Sequence, residues 1–236
     1  MMELSINPKR IVQAMLSIIL LLTVMHVTQL VIFFQIGDPE VFDFIDLIDF
    51  DYEANLPSFY SSTALLFCAV LLWVISIQKQ REHAAFKHHW TGLAIIFTFL
   101  SIDEAIALHE SIGDIMEQQQ WVNAEGLLYF AWVVPYGICL ILFAASYLKF
   151  VLKLPRQTMI LFLSSGTLFI GGAVGIEIIS AQEADINGTE TVLYSILYTV
   201  EELCEMLGIV IFCNALLRYI ETQGRSIEFN INSDQH

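Results

Sequence analysis

The 236-residue chain is 56% hydrophobic and 15% charged, with a formal net charge of -15 and a mean hydropathy of +0.66. That balance excludes an ordinary soluble domain and fits a polytopic membrane protein built as one helical bundle. The acidic excess also excludes a polynucleotide partner, because a phosphate backbone would be repelled.

The first predicted span runs from Ile11 to Phe34, directly after Lys9 and Arg10. It is longer than a signal-peptide core, and no small-residue cleavage site follows Gln35-Ile36-Gly37, so it reads as a retained helix. His26 lies on it about 24 Å from Arg10 by helical rise and reads as a hydrogen-bonded packing residue before a ligand. In the segment that follows, Asp43, Asp46 and Asp49 recur every three residues among Val, Phe, Ile and Leu. This spacing predicts a short interfacial helix on the outer surface between the first two spans, with Pro39 in its first turn. The second span covers Phe59 to Ile77.

The third span, Trp90 to Ile112, contains Ser101-Ile102-Asp103-Glu104 and, further on, His109-Glu110. On a straight helix Asp103, Ala107, Glu110 and Asp114 form one stripe, with Glu104 and His109 flanking it on opposite sides. Helical rise puts Asp103 roughly 10 Å below the outer membrane boundary. The fourth span, Leu127 to Leu148, carries Pro135, which predicts a kink. The fifth, Met159 to Ser180, has Gly171 and Gly175 in a spacing that allows close helix contact, and Glu177 at its outer end. In the sixth, Val192 to Tyr219, Glu201 and Glu205 share a face with Tyr194, Tyr198, Gly208 and Phe212, while Glu202 turns to one flank. Glu205 comes out at a depth of roughly 10 Å as well.

All ten Lys and Arg fall at the N-terminus, in the second and fourth connections or near the C-terminus. By the positive-inside rule both termini are cytoplasmic, with residues 221–236 as a cytoplasmic tail of a single six-helix domain. Only Glu3, Glu82, Glu221, Glu228 and Asp234 lie on the basic side, so 20 of the 25 acids fall on or within the outer half. For the loop acids this is the shadow of the positive-inside rule. Acids inside spans need another account, since a carboxylate in hydrocarbon must be protonated, paired or metal-bound and no Lys or Arg is in reach.

These features point to a carboxylate-rich metal site in the outer half of the bilayer. Its candidate ligands are Asp103, His109, Glu110, Glu177, Glu201 and Glu205, with Glu202 or Glu104 as general base for metal-assisted chemistry. Carboxylate oxygen suits Ca²⁺, Mg²⁺, Mn²⁺ or Fe, whereas a single strong His argues against a three-His zinc centre. A cation or proton transporter, channel or sensor using the same acids is the alternative, and an assembly subunit of a homo- or hetero-oligomer is a second. The stretches Trp90 to Leu100, Met159 to Ile170 and Met206 to Leu217 carry no Asp or Glu, which favours a site open to the outside only. Cys68, Cys139, Cys204 and Cys213 fall inside spans without metal-type spacing, so no disulfide framework is expected.

The segments Ser101-x-Asp103-Glu104 with His109-Glu110, and Glu201-Glu202-x-x-Glu205-Met206-Leu207-Gly208, resemble a pattern in uncharacterised bacterial multi-pass membrane proteins. The resemblance covers two of six helices and implies a location in the bacterial inner membrane, with no activity attached.

Overall fold

The computed structural model describes residues 7–36, 46–123 and 125–223 and is all-α. The helices are α1 (Pro8–Ile36), α2 (Leu56–Arg81), α3 (Lys87–Ile106), α4 (Leu108–Gln118), α5 (Val133–Val151), α6 (Arg156–Ile170), α7 (Glu177–Asn187) and α8 (Val192–Thr222). A π-helical segment, Gly171–Ile176, joins α6 to α7 into one rod. Five rods are long and apolar enough to cross a membrane, and α3 with α4 makes a sixth if the bent pair is one span. The chain is a multi-pass membrane protein.

The helix ends explain themselves locally. At the start of α2 the Asn55 side chain accepts from the Ser58 N–H while the Ser58 hydroxyl accepts from the Asn55 N–H, a reciprocal cap with Pro57 in the first turn. Thr191 caps α8 by accepting from the Tyr194 N–H. Pro135 sits in the first turn of α5, where its missing N–H costs nothing, so the expected kink is replaced by a helix start. The expected fourth span accordingly begins late: Gly126–Leu128 is a 3₁₀ turn and the α-helix starts at Val133.

The third span departs most from expectation. α3 stops at Ile106, Ala107 takes a left-handed φ of 50°, and α4 leaves at 71° to α3. An Ala in that conformation costs about 1–2 kcal/mol, so the surroundings must over-determine it. The continuous stripe from Asp103 to Asp114 therefore does not exist.

The core gathers around α8. Leu72 and Cys68 of α2, and Met206, Cys213, Ala215 and Leu216 of α8, are wholly or almost wholly buried. Gly208 lets α6 approach: a Cβ there would stand 2.9 Å from the Phe169 Cβ. Gly172 does the same one level up, where a Cβ would stand 2.7 Å from the Glu201 carbonyl oxygen and 2.9 Å from the Cys204 Cβ. Gly171 and Gly175, the pair picked out by spacing, face open space instead, because the π segment rotates the face that meets α8.

Among the described residues the Lys and Arg side chains belong to one end of the bundle, at or next to the C-termini of α2, α5 and α8 and the N-termini of α1, α3 and α6. Next to that end lies an aromatic layer. Phe97 stacks on Phe212 at 4.4 Å, Phe162 meets Phe212 at 4.7 Å, and Trp90 contacts Tyr219 at 4.9 Å. Most of the expected interfacial helix, residues 37–45, lies outside the described residues. Its last part, Asp46 to Phe50, is turn rather than helix, and Asp49 is buried rather than solvated.

Candidate metal centre

At the end opposite the Lys and Arg residues, the helices enclose a cavity of about 480 Å³. Asp51 and Glu53 enter it from the turn before α2, Asp103 and Glu104 from α3, and Glu110, Asp114 and Glu117 from α4. Glu177 of α7 and Glu201, Glu202 and Glu205 of α8 complete the set. Eleven carboxylates and one imidazole, His109, thus line one space, and among the described residues no Lys or Arg does. All eight residues singled out by sequence (Asp103, Glu104, His109, Glu110, Glu177, Glu201, Glu202 and Glu205) are brought together here. Two unpaired carboxylates about 4 Å apart repel by roughly 4 kcal/mol at an effective dielectric of 20, so several of these groups require protons or cations.

The break at Ala107 organises the mouth of the cavity. On a straight helix Asp103 and His109 would be separated by about 9 Å of rise and point about 120° apart. With α4 folded back, His109 Nδ1 stands 3.3 Å from Asp103 Oδ2, and its Nε2 faces Glu53 Oε1 at 3.6 Å. The other Asp103 oxygen accepts from the Tyr136 hydroxyl at 2.8 Å, so both of its oxygens are engaged. Trp132 packs edge-on against the His109 ring at 5.0 Å. The imidazole is thereby oriented from behind by a carboxylate and from the side by an aromatic ring.

Glu53, His109 and Glu110 each present one ligand atom within 4.8 Å of the other two. Burial pushes the Glu53 carboxyl upward from its ordinary range, His109 opposes that shift, and Glu110, Asp103 and Glu177 add to it. Glu53 Oε2 is buried without a hydrogen-bond partner. A group of this kind, two carboxylates and one imidazole converging on a point, has the donor chemistry of a divalent-cation site.

Glu53 was not legible as a candidate, because a network that only the folded chain assembles carries it inward. Asp49, two residues before Asp51, accepts from Gln29 Nε2 at 2.7 Å and lies 3.5 Å from His26 Nδ1. His26 also accepts from the Phe50 N–H, stacks on the Phe50 ring at 4.3 Å and reaches Thr199 at 2.9 Å. Asn55 Nδ2 donates to the Asp46 and Asp49 carbonyls. The turn is thus fastened to α1 and α8, and His26 is the packing residue its sequence context suggests. The capping pattern Asn55-x-x-Ser58 was the one available signal that Glu53 stands just ahead of a helix start.

At the inner side of the cavity Glu201 is 8% exposed, neighbours the Glu177 carboxyl, and keeps its Oε2 without a hydrogen-bond partner. Glu177 Oε1 accepts from Trp132 Nε1 at 3.2 Å. Tyr194 donates to Asp51 Oδ1 at 2.8 Å, so this tyrosine holds a carboxylate in place rather than serving only as an interfacial anchor. The four cysteines are free.

No curated protein and no solved structure matches the chain. One family model, described as a domain of unknown function (DUF8692), matches residues 14–219. With that much of its length covered, from α1 through most of α8, the chain belongs to the DUF8692 family.

Proposed function

We propose that this membrane protein holds a divalent cation at the mouth of the carboxylate cavity, with Glu53, His109 and Glu110 as ligands, and uses it for chemistry on a molecule that enters from the non-basic side. The observation that carries the reading is the convergence of those three ligand atoms within 4.8 Å, with His109 backed by Asp103. A carboxylate hydrogen-bonded to the far nitrogen of a metal-binding His fixes its tautomer and raises its basicity, which assigns Asp103 to positioning rather than to ligation. Tyr136 holds Asp103 in turn. The mixed oxygen and nitrogen set suits Mn²⁺ or Fe²⁺ better than Ca²⁺.

A cation at this point would polarise a bound water or carbonyl, and Glu104 and Glu202 line the same space as candidate general bases. By the positive-inside rule the Lys and Arg end is cytoplasmic and the cavity opens outward. Elemental analysis of the purified protein tests the reading: at least one equivalent of transition metal is expected, and His109→Ala is expected to lose one equivalent. Wild-type protein that binds no added Mn²⁺ or Fe²⁺ rejects it.

The broken α3–α4 span favours a second reading, a cation transporter, because discontinuous helices at acidic sites are typical of ion pathways. Against it stands the layer of Phe97, Phe162, Phe212 and Trp90 between the acids and the basic end. Cation flux into liposomes that disappears in Glu201→Gln would favour transport over chemistry at a one-sided site.

A further inference from the structure

We propose that the same cavity holds a second divalent cation, bridged by Glu177 and Glu201 and completed by water, separate from the Glu53, His109 and Glu110 group. The inference starts from Glu201, which is more than nine-tenths buried and lines the cavity with Oε2 unpartnered. Leaving a carboxylate oxygen buried and unsatisfied is costly, and polar groups in that condition signal a missing partner. Glu177 neighbours Glu201 on the cavity lining, and two adjacent carboxylates that would otherwise both be anionic require a proton or a cation between them. A divalent cation with several coordination positions can take the buried Oε2 together with the neighbouring Glu177 carboxylate.

The backbone brings the pair together deliberately. The π segment Gly171–Ile176 adds a residue to the turn just before Glu177, and single π turns of this kind recur at functional sites. Gly172, in that segment, lies against the Glu201 carbonyl and the Glu205 Cγ, an approach that any side chain would block. Glu205, one turn from Glu201, and Glu202 both line the cavity, where they can accept from waters around the ion. Two carboxylates with several retained waters is the ligand set that Mg²⁺ and Mn²⁺ take.

Equilibrium dialysis of the detergent-purified full chain against Mn²⁺, with electron paramagnetic resonance of the loaded protein, tests the proposal. Two equivalents are expected for wild type, one for Glu201→Gln and one for Glu177→Gln, with each variant monodisperse on size exclusion. Two equivalents retained in both Gln variants overturn the second position. If wild type holds a single equivalent, His109→Ala separates this inference from the reading it accompanies. An equivalent kept in His109→Ala and lost in Glu201→Gln supports the Glu177 and Glu201 position and rejects the shallow centre. The reverse result overturns the proposal made here.

Discussion

The two ends of this bundle are built on opposite principles. At the basic end α2, α6 and α8 pack an aromatic and aliphatic layer in which Leu216 and Cys213 are fully buried, and the charged groups project outward. At the acidic end a cavity of about 480 Å³ lined by eleven carboxylates opens between the helices, and a turn, a 3₁₀ segment and a π segment replace regular helix around it. Regular packing thus supplies stability at one end, and irregular backbone places reactive groups at the other. Variants should separate the two: changes at the packed end cost stability and leave cation binding intact, and changes at the open end do the reverse.

The largest effect is expected from Phe212→Ala. Phe212 is 6% exposed and contacts both Phe97 and Phe162, so truncation removes two ring contacts and leaves a void. A loss of about 3 kcal/mol or more is expected in thermal or denaturant unfolding in detergent, with cation stoichiometry unchanged. Loss of bound cation at equal foldedness would contradict the division between the ends.

Asp103→Asn sharpens the comparison from the other side. It keeps the shape and the Tyr136 contact but weakens the hold on His109, so cation affinity should fall by roughly 10–100-fold while unfolding barely changes. Tyr136→Phe acts through Asp103 and should give a smaller loss of the same kind. An Asp103→Asn protein that binds no cation at all would return Asp103 to the ligand set in which its sequence context first placed it.

Gly172→Ala probes the seam between the two regions. The new Cβ would meet a backbone oxygen at 2.7 Å and the Cys204 Cβ at 2.9 Å, neither of which is the end of a flexible side chain. A loss of about 1–3 kcal/mol is expected. It should come together with weaker cation binding, since the same contact sets Glu177 against Glu201. Gly175→Ala, which faces open space, should change neither measurement.

The packed end was far more legible in the sequence than the open one. Apolar runs bounded by Lys and Arg mark where long apolar helices lie, because a bilayer demands length and tolerates little else, but not where the third breaks or the fourth begins. The acids of α3 and α8 stood out because no basic residue accompanies them. Glu53, Tyr136 and Trp132 did not, since each comes from a turn or a helix start whose direction depends on contacts far away in the chain. Gly172 was passed over for Gly171 and Gly175 because counting in fours assumes an α-helix, and the π segment shifts the count. Ala107 gave no warning at all: neither Gly nor Pro marks the break.

That last position yields the smallest and most pointed prediction. If the break at Ala107 is imposed by what it achieves, the contact of His109 with Asp103 and Glu53, then the left-handed conformation is a cost carried for the site. Ala107→Gly relieves it and should stabilise the protein by about 1 kcal/mol without loss of cation affinity, because glycine adopts positive φ freely. A β-branched residue pays more at positive φ, so Ala107→Val should push α3 toward a continuous helix. His109 would then swing away from Asp103, and cation binding should fall even though no ligand has been touched. Unfolding measured beside Mn²⁺ affinity for the pair of variants reads both effects. A stabilised Val variant with full affinity would mean that the bend, and the geometry derived from it, is not what builds the centre.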